Sequence, residues 1–467
     1  MSRINTNISS LQAIHTLTKN NSDMATRLQR LSSGLKINAG KDAPAALIAS
    51  ETLRSEINGI NQAIDNSQRA GNVINTAEGA LSEVSSLVLE IQSLTNQAAN
   101  QGALSTDEIA ANQLQVDAIL SSINRIANTT QFNGVKLLNG NFDYTTGTPT
   151  NATNVRVNAA RIPDGGSVAV AIDVTTSSQT AHVGKVGAAA DNITIEVAGN
   201  QGSEQLTFAT GTSVGQMITA INAVKTATGV SASLSTADLR IDSIDFGSDQ
   251  FVSVKVISGT WSTVGGTGGK DYGTDAVVKV NGASATTKGL DVSFRNGNLD
   301  VEFRLTGAAN VTNGTASFTI TGGGATFALG SKVTETNKAT IGISSVTTSS
   351  LGEATTGYLT MLGTGGANSL SSTNLVMAQR IIDRAIKQVA NLRGRLGAFQ
   401  KEVLDSNINS LSVALENVTA SESAIRDADF ASETAALTRA QILVQANTSV
   451  LAQANVLPQS VLALLQR

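Results

Sequence analysis

The amino-acid sequence predicts an α+β multidomain protein, with a coiled-coil α-helical core formed by both chain ends and β-rich outer domains inserted between them. Glycine content supports this division, because 8 of the 42 glycines lie in 1–140, 32 in 141–370 and 2 in 371–467. Glycine marks turns and strand ends, so the outer thirds are expected to be helical and the middle β-rich. Hydrophobic periodicity agrees, since apolar residues recur every three or four positions in the outer thirds and every second position in the middle.

Composition excludes several classes of protein. With a net charge of −4 and no basic patch, the chain is not expected to bind nucleic acid. Cysteine is absent, so neither a disulfide nor a thiolate metal site can form. Charged residues make up only 15% of the chain, so stability must come from extended aliphatic contacts. The N-terminal residues lack the apolar run of a secretory signal peptide, so any export is expected to use another route.

The last stretch of the chain, 440–466, contains no charged residue. Its aliphatic residues recur every seven positions in two parallel rows, and a similar stripe begins near the N-terminus. Such rows predict two terminal helices, each with an aliphatic stripe that is built for burial among other helices. The members of this predicted inner-core assembly stripe are Ile4, Ile8, Leu11, Leu437, Leu443, Val444, Val450, Leu451, Leu457 and Leu464. Amide side chains and Pro458 interrupt the run, so insertion into a membrane is not expected.

Three further helices carry an apolar seam whose spacing alternates between three and four residues, as in a coiled coil. The central members of this predicted core seam are Leu81, Val84, Val88, Ile91, Val116, Ile119, Ile123, Ile382, Val389, Leu392 and Leu396. Gly102 is expected to end the first of these helices, and Ser105-Thr-Asp-Glu108 predicts a capping box at the start of the second. Asn112 lies on the seam, where it either fixes the register or faces solvent.

The seam of the C-terminal helices changes phase by one residue between Val403 and Leu404. Such a change is tolerated where a helix passes from one partner helix to another. Charged residues off this seam are expected to form a solvated face, with a specific contact between subunits as the alternative. They are Arg380, Asp383, Arg384, Lys387, Arg393 and Arg395.

The middle of the chain predicts two β-rich units. Residues 191–258 predict the order strand, strand, helix, strand, strand, and 276–324 predict a second β unit. A hairpin within 327–346 is assigned to the helical core because helical seams adjoin it in sequence. The predicted domains are 1–44 and 424–467 (two halves of an inner helical domain), 45–142 and 325–423 (the coiled-coil core domain, the latter with the hairpin), 143–262 (an outer α+β domain) and 263–324 (an outer β-rich domain).

No constellation of catalytic residues is present in the sequence. The two histidines, His15 and His182, lie far apart, and no spacing typical of a metal site surrounds them. The glycine clusters at 265–269 and 322–324 lack the lysine and helix start of a phosphate-binding loop. We therefore expect no enzyme activity, no catalytic residue, no metal and no cofactor.

Four motifs carry a resemblance to a known family. MSRINTNISSLQA, LSSGLKINAGKDAPAALIAS, TTQFNGVKLLNG and LAQANVLPQSVLALLQR resemble bacterial flagellin, the subunit of the flagellar filament, in the family's order and at the family's ends. The match covers roughly 1–140 and 325–467. Residues 192–258, with INAVKTATGVSASL, are similar to an insertion module of some flagellins and hook-associated proteins.

The resemblance implies a structural subunit that self-assembles into an open helical filament outside the cell and gives swimming motility. It implies that 1–41 and 426–467 pair as coaxial helices that line a tube and fold on assembly, with the middle outermost. The implied partners are further copies of the chain, the flagellar cap and hook-associated proteins, an export chaperone at the C-terminal helix, and the type III export apparatus. Alternatives are a hook–filament junction protein, or an outer domain that acts additionally as a surface adhesin.

The resemblance also concerns recognition by the vertebrate innate receptor for flagellin. Recognised members of the family carry an arginine and a leucine on one core helix and a glutamate on the helix packed against it. The matching positions here are Gln92, Leu94 and Gln115, so only the leucine is kept. Weak activation of the receptor is therefore expected.

Overall fold

Helices lie mainly in the two outer thirds of the chain, where the glycine distribution predicts them. The computed structural model describes residues 6–100, 104–163, 165–236, 238–372 and 374–465. The α-helices are α1 (Ile8–Ser33), α2 (Pro44–Ala98), α3 (Thr106–Thr129), α4 (Val214–Ala223), α5 (Lys225–Thr228), α6 (Leu375–Ala398), α7 (Ser406–Arg426) and α8 (Phe430–Leu465). Short 3-10 helices cover Glu335–Asn337 and Leu359–Leu362.

Strands occupy the middle of the chain, which confirms the predicted α+β class. They are β1 (Gln131–Phe132), β2 (Val135–Lys136), β3 (Tyr144–Thr146), β4 (Ala152–Ala160), β5 (Val168–Thr176), β6 (His182–Lys185), β7 (Ile193–Gly199), β8 (Gly202–Phe208), β9 (Val230–Ser235), β10 (Asp238–Ser243), β11 (Phe251–Ser258), β12 (Thr263–Val264), β13 (Lys270–Tyr272), β14 (Val277–Val280), β15 (Ala283–Ser284), β16 (Thr286–Lys288), β17 (Asp291–Arg295), β18 (Leu299–Leu305), β19 (Gly314–Gly323), β20 (Ala325–Ala328), β21 (Lys338–Ile341), β22 (Gly352–Glu353) and β23 (Gly357–Tyr358).

Capping residues explain where several helices begin and end. Gly34 ends α1 in the left-handed conformation, with a φ of 71° that glycine adopts without strain. The predicted capping box at α3 is confirmed, since Ser105 Oγ accepts a hydrogen bond from the Glu108 amide and Glu108 Oε2 accepts one from the Ser105 amide at 2.7 Å. Gly102, expected to end α2, lies outside the described residues, and α2 ends at Ala98.

A π-helical segment, Phe399–Asp405, joins α6 to α7. A π turn holds one residue more than an α turn, so it rotates the side chains that follow relative to those before it. Leu396 is buried on the seam of α6, Val403 is exposed, and Leu404 is the next buried aliphatic side chain. The extra residue therefore gives the predicted one-residue phase change a structural cause.

One compact unit consists of 1–68, 328–337 and 404–467. In it the first part of α2 runs antiparallel to α7. Asn407 Nδ2, near the start of α7, donates a hydrogen bond to Ser67 Oγ at 3.1 Å and another to the Leu329 carbonyl at 2.9 Å. At the other end of α7, Arg426 Nη1 lies 2.9 Å from Glu51 Oε1. The unit thus extends beyond the predicted inner domain, 1–44 with 424–467, into segments that the sequence assigned to the coiled-coil core.

The other compact unit consists of 69–327 and 338–403. Its helical part contains the rest of α2, α3 and α6. Helices α2 and α6 run antiparallel. Gln92 Nε2 donates a hydrogen bond to Asp383 Oδ1 at 3.0 Å, and Glu78, earlier on α2, has its Oε1 2.8 Å from Nη2 of Arg393, later on α6.

Strand β20 up to Phe327 and strand β21 lie in this unit, where they contact two different parts of it. The Phe327 ring centroid lies 6.0 Å from that of Phe399, which follows α6. The Gly342 amide, just after β21, donates to the Asn158 carbonyl of β4 at 2.8 Å, and the Gly342 carbonyl accepts from Arg395 Nη2 at 3.3 Å. The hairpin therefore contacts the helical part, as predicted, and an outer strand as well.

The β-rich middle contains two hydrophobic clusters. One joins the antiparallel sheets β13-β11-β7-β8 and β12-β6-β10-β9 to α4, whose Met217 and Ile221 are buried in it. The observed order within 191–258 is β7, β8, α4, α5, β9, β10 and β11. The predicted strand, strand, helix, strand, strand is therefore present, with the short helix α5 and the strand β11 in addition. The other cluster is formed by the antiparallel sheets β15-β14-β5-β19-β3 and β16-β17-β18-β4.

The second cluster corrects the predicted boundaries of the outer domains, 143–262 and 263–324. Strand β5 pairs with both β14 and β19, and β4 pairs with β18, so 144–176 share a core with 276–320. The first cluster, between Ala181 and Trp261, is an insertion within the second. Period-two alternation identifies strands but contains no information about which distant strand completes a sheet.

Candidate assembly surface

Helices α1 and α8 pack against each other in an antiparallel pair. Ala13 of α1 and Ala440 and Ala454 of α8 are buried between them. Asn7 Nδ2, just before α1, donates a hydrogen bond to the Ala454 carbonyl at 2.9 Å. Small side chains at the contact allow the two helix axes to approach closely, because the interaxial distance depends on the residues between them.

The packing row of α8 consists of Glu433, Ala440, Asn447 and Ala454, which are seven residues apart. Sequence periodicity alone favours the neighbouring rows of leucine and valine, because these are the more apolar. The signal for the observed row was the pair of alanines, Ala440 and Ala454, two heptads apart, which identifies a close helix contact only when the partner helix is known.

Two arginines and one glutamate form an ion cluster between the paired helices. Arg27 Nη1 lies 2.9 Å from Glu433 Oε2, and Arg30 Nη1 lies 3.1 Å from Glu433 Oε1. Burial acts to raise the pKa of Glu433, but hydrogen bonds from the two arginines and their charges together lower it below its ordinary value of 4.5. The hydrogen bond to Glu433 likewise raises the pKa of Arg27. Glu433 is therefore ionised at neutral pH and connects α8 to α1.

The predicted assembly stripe lies mainly outside this seam. Ile8, Leu11, Leu443 and Val450 are exposed, and the row Leu437, Val444 and Leu451 is half-buried. Within one chain the structure therefore does not bring Ile8 and Leu11 against the leucine and valine rows of α8. Ile4 lies outside the described residues, and the side chains of Leu457 and Leu464 are not described.

The exposed aliphatic residues of the paired helices form what we call the terminal apolar surface. Its members are Ile8, Leu11, Ile14, Leu28, Ile442, Leu443, Val450 and Val456. Exposed apolar side chains in this number are unusual on a soluble monomer and typical of an interaction surface. From Ala440 to Gln459 the helix also has no charged residue that would oppose burial against another protein surface.

The predicted core seam lies in the other compact unit. All eleven of its members are buried, with Leu81, Val84, Val88 and Ile91 fully inaccessible to solvent. Asn112 is buried as well, which excludes the alternative in which it faces solvent and leaves the one in which it lies within the seam. Its Nδ2 finds no hydrogen-bond partner among the described residues.

The charged residues off the seam of α6 do not form a simple solvated face. Asp383 and Arg393 contact α2, as described above, and Arg384 Nη2 lies 2.7 Å from Glu353 Oε2. Lys387 is exposed. Several of these charges thus have partners within the same chain, a possibility that helical periodicity cannot distinguish from solvent exposure.

The three positions aligned with the innate-receptor contacts differ in their surroundings. Gln92 is half-buried and bound to Asp383, and Gln115 is exposed. Leu94, the residue kept from the family pattern, is only 8% exposed. A buried leucine presents little surface to a receptor.

The described part of the chain contains neither a cluster of metal ligands nor a membrane-spanning helix. Among 6–100, 104–163, 165–236, 238–372 and 374–465, no group of three or more histidine, aspartate or glutamate side chains could hold a metal ion. None of the helices in those ranges is long and apolar enough to cross a membrane.

Comparison with known proteins links both ends of the chain to one family. Residues 4–143 match the bacterial flagellin N-terminal helical region, and 379–465 match the bacterial flagellin C-terminal helical region. Residues 192–245 match the flagellin hook IN motif. The three matches cover both ends of the chain and the inserted cluster.

Similar proteins match over nearly the whole chain. Polar flagellin B/D of Vibrio parahaemolyticus is 30% identical over 99% of both chains, and flagellin D of Vibrio cholerae is 29% identical over 99% of both. Among solved structures, a hook-associated protein of Legionella pneumophila is 13% identical, covering 79% of this chain and 97% of its own, with a TM-score of 0.31. That score is too low for the likeness to support an argument.

Proposed function

Because this chain belongs to the bacterial flagellin family and is a structural subunit of the flagellar filament, we propose that its paired terminal helices, α1 and α8, are the element that polymerises. The observation that carries this proposal is the terminal apolar surface, which has no covering partner within the described part of its own chain. Burial of apolar area contributes about 25 cal/mol per Å². Contact with further copies of the chain would therefore supply the driving force for assembly.

The geometry of the proposed contact follows from the two different faces of the helix pair. The packing row joins α1 to α8 within a subunit, so the exposed row that contains Leu443 and Val450 remains for neighbouring subunits. A heterologous contact that does not close into a ring gives an open helical polymer. In this proposal 1–44 and 424–467 line the tube, 45–142 and 325–423 form the next layer, and the β-rich middle faces outward.

A charge introduced into the terminal apolar surface tests the assignment. Val450 is 54% exposed, so Val450→Asp should leave the monomer folded but prevent polymerisation, because the carboxylate would be buried in the subunit contact without a partner. Val277→Asp is the matched control, since Val277 is 51% exposed and lies on β14 in the outer region. Filament formation is measured by electron microscopy, and circular dichroism checks the fold.

Abundant filaments of Val450→Asp, or loss of filaments in both variants, would contradict the assignment of assembly to this surface.

A truncation gives a second test. Removal of 440–467 should abolish polymerisation while the β-rich middle remains folded, because the deletion takes away most of α8, including Ala440 and Ala454 of the intrachain contact and Val450 of the terminal apolar surface. Filaments of the truncated protein would refute the role of α8.

Partners and location follow from the same proposal. The stretch of α8 from Ala440 onward, which has no charged residue, is the segment that an export chaperone would cover before assembly, since an exposed aliphatic stripe is prone to self-association. We further propose export through the flagellar type III apparatus to the extracellular filament, and contact with the cap and hook-associated proteins during growth. A pull-down of the chaperone by the full chain, lost on removal of 440–467, would test this step.

A filament subunit is preferred here over a hook–filament junction protein, because the relatives that match over the full chain are named flagellins. Filament length distinguishes the two, since a junction protein stops after about one ring. An additional adhesive role of the outer β region stays a prediction, to be tested by binding of intact filaments to host-cell surfaces.

A further inference from the structure

The chain contains six asparagines that are each followed by glycine: Asn58, Asn133, Asn139, Asn281, Asn296 and Asn313. In such a pair the glycine nitrogen can attack the asparagine side-chain amide, because no Cβ on the glycine hinders the approach. The sequence alone ranks the six pairs equally. The structure separates them, because the reaction requires a free asparagine side chain and an unengaged glycine amide.

Hydrogen bonds hold the side chain at three of the six pairs. Asn281 Oδ1 accepts from the Ala171 amide at 2.8 Å, and Asn281 Nδ2 donates to the Ala169 carbonyl at 3.4 Å. Asn296 Oδ1 accepts from two backbone amides, at 2.9 and 2.8 Å. Asn139 Oδ1 accepts from the Asn141 amide at 3.1 Å. Each side chain must leave these partners before it can turn toward the following nitrogen.

The glycine is the protected member at two other pairs. Gly59 lies within α2, where its amide belongs to the helix, and a Cβ built on it would lie 2.6 Å from the Ser331 carbonyl oxygen. Gly314 is buried, and its amide donates to the Val311 carbonyl at 2.8 Å. Neither nitrogen is free to attack.

Asn133 and Gly134 lack both kinds of protection. They form the two-residue turn between β1 and β2, with φ values of 53° and 84°, and both are exposed. Within the described residues, no hydrogen bond engages the Asn133 side chain or the Gly134 amide. Apart from its two chain neighbours, no heavy atom lies within 4 Å of the Cβ position on Gly134, so the space beside this glycine is open.

We propose that Asn133 is a site of spontaneous deamidation in the folded protein, with water as the only co-reactant. The Gly134 nitrogen loses its proton to a base and attacks Cγ of Asn133, and the bond from Cγ to Nδ2 breaks as ammonia leaves with a proton. The product is a five-membered succinimide. Water then adds to either ring carbonyl and opens the ring to aspartate or isoaspartate.

The two products have different consequences for the turn. Aspartate keeps the backbone and tolerates a positive φ, so it adds only a negative charge. Isoaspartate inserts a methylene group into the main chain, and a longer chain in a two-residue turn disrupts the pairing of Phe132 with Val135. Deamidation therefore adds a negative charge to every affected copy, and it changes the shape of the turn in those copies that carry isoaspartate.

The test is peptide mapping by mass spectrometry of the full chain aged at mildly alkaline pH and 37 °C. Asn133 should deamidate roughly tenfold or more faster than Asn281 and Asn296, because one or two hydrogen bonds must break at the slower sites. The rate at Asn133 should rise with pH, since the attacking nitrogen must be deprotonated. Asn133→Gln should remove the modified peptide, because ring closure from glutamine is slower.

Unfolding the chain in urea supplies the control. The protection at Asn281 and Asn296 should then disappear, and their rates should approach that of Asn133, which changes little because it was already free. Equal rates at the three sites in the folded chain would overturn the proposal. So would a large acceleration of Asn133 on unfolding, since that would mean that the folded turn protects it.

Discussion

The ion cluster between α1 and α8 can be tested by removing one charge. Glu433→Gln keeps the size of the side chain and can still accept a hydrogen bond, but it leaves Arg27 and Arg30 without a counter-charge. The substitution therefore acts on the pairing of the two terminal helices, which the proposed assembly requires. We expect the variant to polymerise more weakly than the natural protein at neutral pH.

The magnitude follows from the burial of the three side chains. An exposed ion pair contributes about 0–1 kcal/mol, and breaking a buried pair costs about 3–5 kcal/mol. Glu433 is nearly buried, but the Arg27 and Arg30 side chains retain 28% and 20% of their exposure, so the cost lies between these limits. We take about 2 kcal/mol per subunit, which corresponds to roughly a 30-fold rise in the critical concentration for polymerisation.

The assay is sedimentation of polymer from a series of protein concentrations, which gives the critical monomer concentration directly. Glu416→Gln is the matched control, because Glu416 lies on α7, is exposed, and has no ion pair among the described residues. Its critical concentration should stay within about twofold of the natural protein, as for other exposed charges. If Glu433→Gln behaves like Glu416→Gln, the ion cluster does not stabilise the terminal helix pair and the reasoning fails.

Further outcomes are expected for acid, for the helical core and for receptor recognition. Because the pKa of Glu433 in the folded protein lies below its ordinary value of 4.5, its contribution is fully present above that pH and is lost as the pH falls through the folded pKa. The difference in critical concentration between the natural protein and Glu433→Gln should therefore shrink in acid, and a constant difference would exclude this origin. In the coiled-coil core, Leu81→Ala should lower the free energy of unfolding by about 2–5 kcal/mol, because it leaves a cavity at a fully buried seam position. Leu89→Ala on the same helix, at a 50% exposed position, should change it by about 0.5 kcal/mol or less in the same urea titration. Purified monomer should activate the innate receptor weakly in a reporter-cell assay, because Leu94 is buried, and potent activation would contradict this prediction.

Local signals in the sequence predict the helices and their ends well. The capping box from Ser105 to Glu108 satisfies two backbone amides within four residues, so nothing outside the segment is needed to recognise it. The phase change between Val403 and Leu404 is also local, because the number of residues per turn determines which side chain returns to the same face. Signals of this kind depend only on the conformation of the segment that carries them.

Contacts between distant segments are less predictable. Strand β5 has the same alternating pattern as its neighbours in sequence. It nevertheless forms a sheet with β14 and β19, and even the nearer of these partners begins about a hundred residues further along the chain. The packing row of α8 is similarly difficult to identify from the sequence, because the neighbouring rows of leucine and valine are more apolar. In both cases the deciding factor is the shape of a partner surface, and hydrophobic periodicity does not encode shape.

Asn447 shows why the absence of charged residues from Ala440 onward in α8 suits the proposed assembly. It belongs to the same heptad row as Ala440 and Ala454, and its Nδ2 is buried without a hydrogen-bond partner among the described residues. A buried donor of this kind costs about 1–3 kcal/mol when it stays unpaired. A lysine at this position would destabilise the structure far more, because burying an unpaired charge costs more free energy than burying an unpaired amide. A neutral amide needs only acceptors for its N–H groups, and side-chain oxygens of neighbouring subunits would provide them in the proposed polymer. The amide-rich composition of α8 is thus consistent with a helix whose last hydrogen bonds form in the polymer.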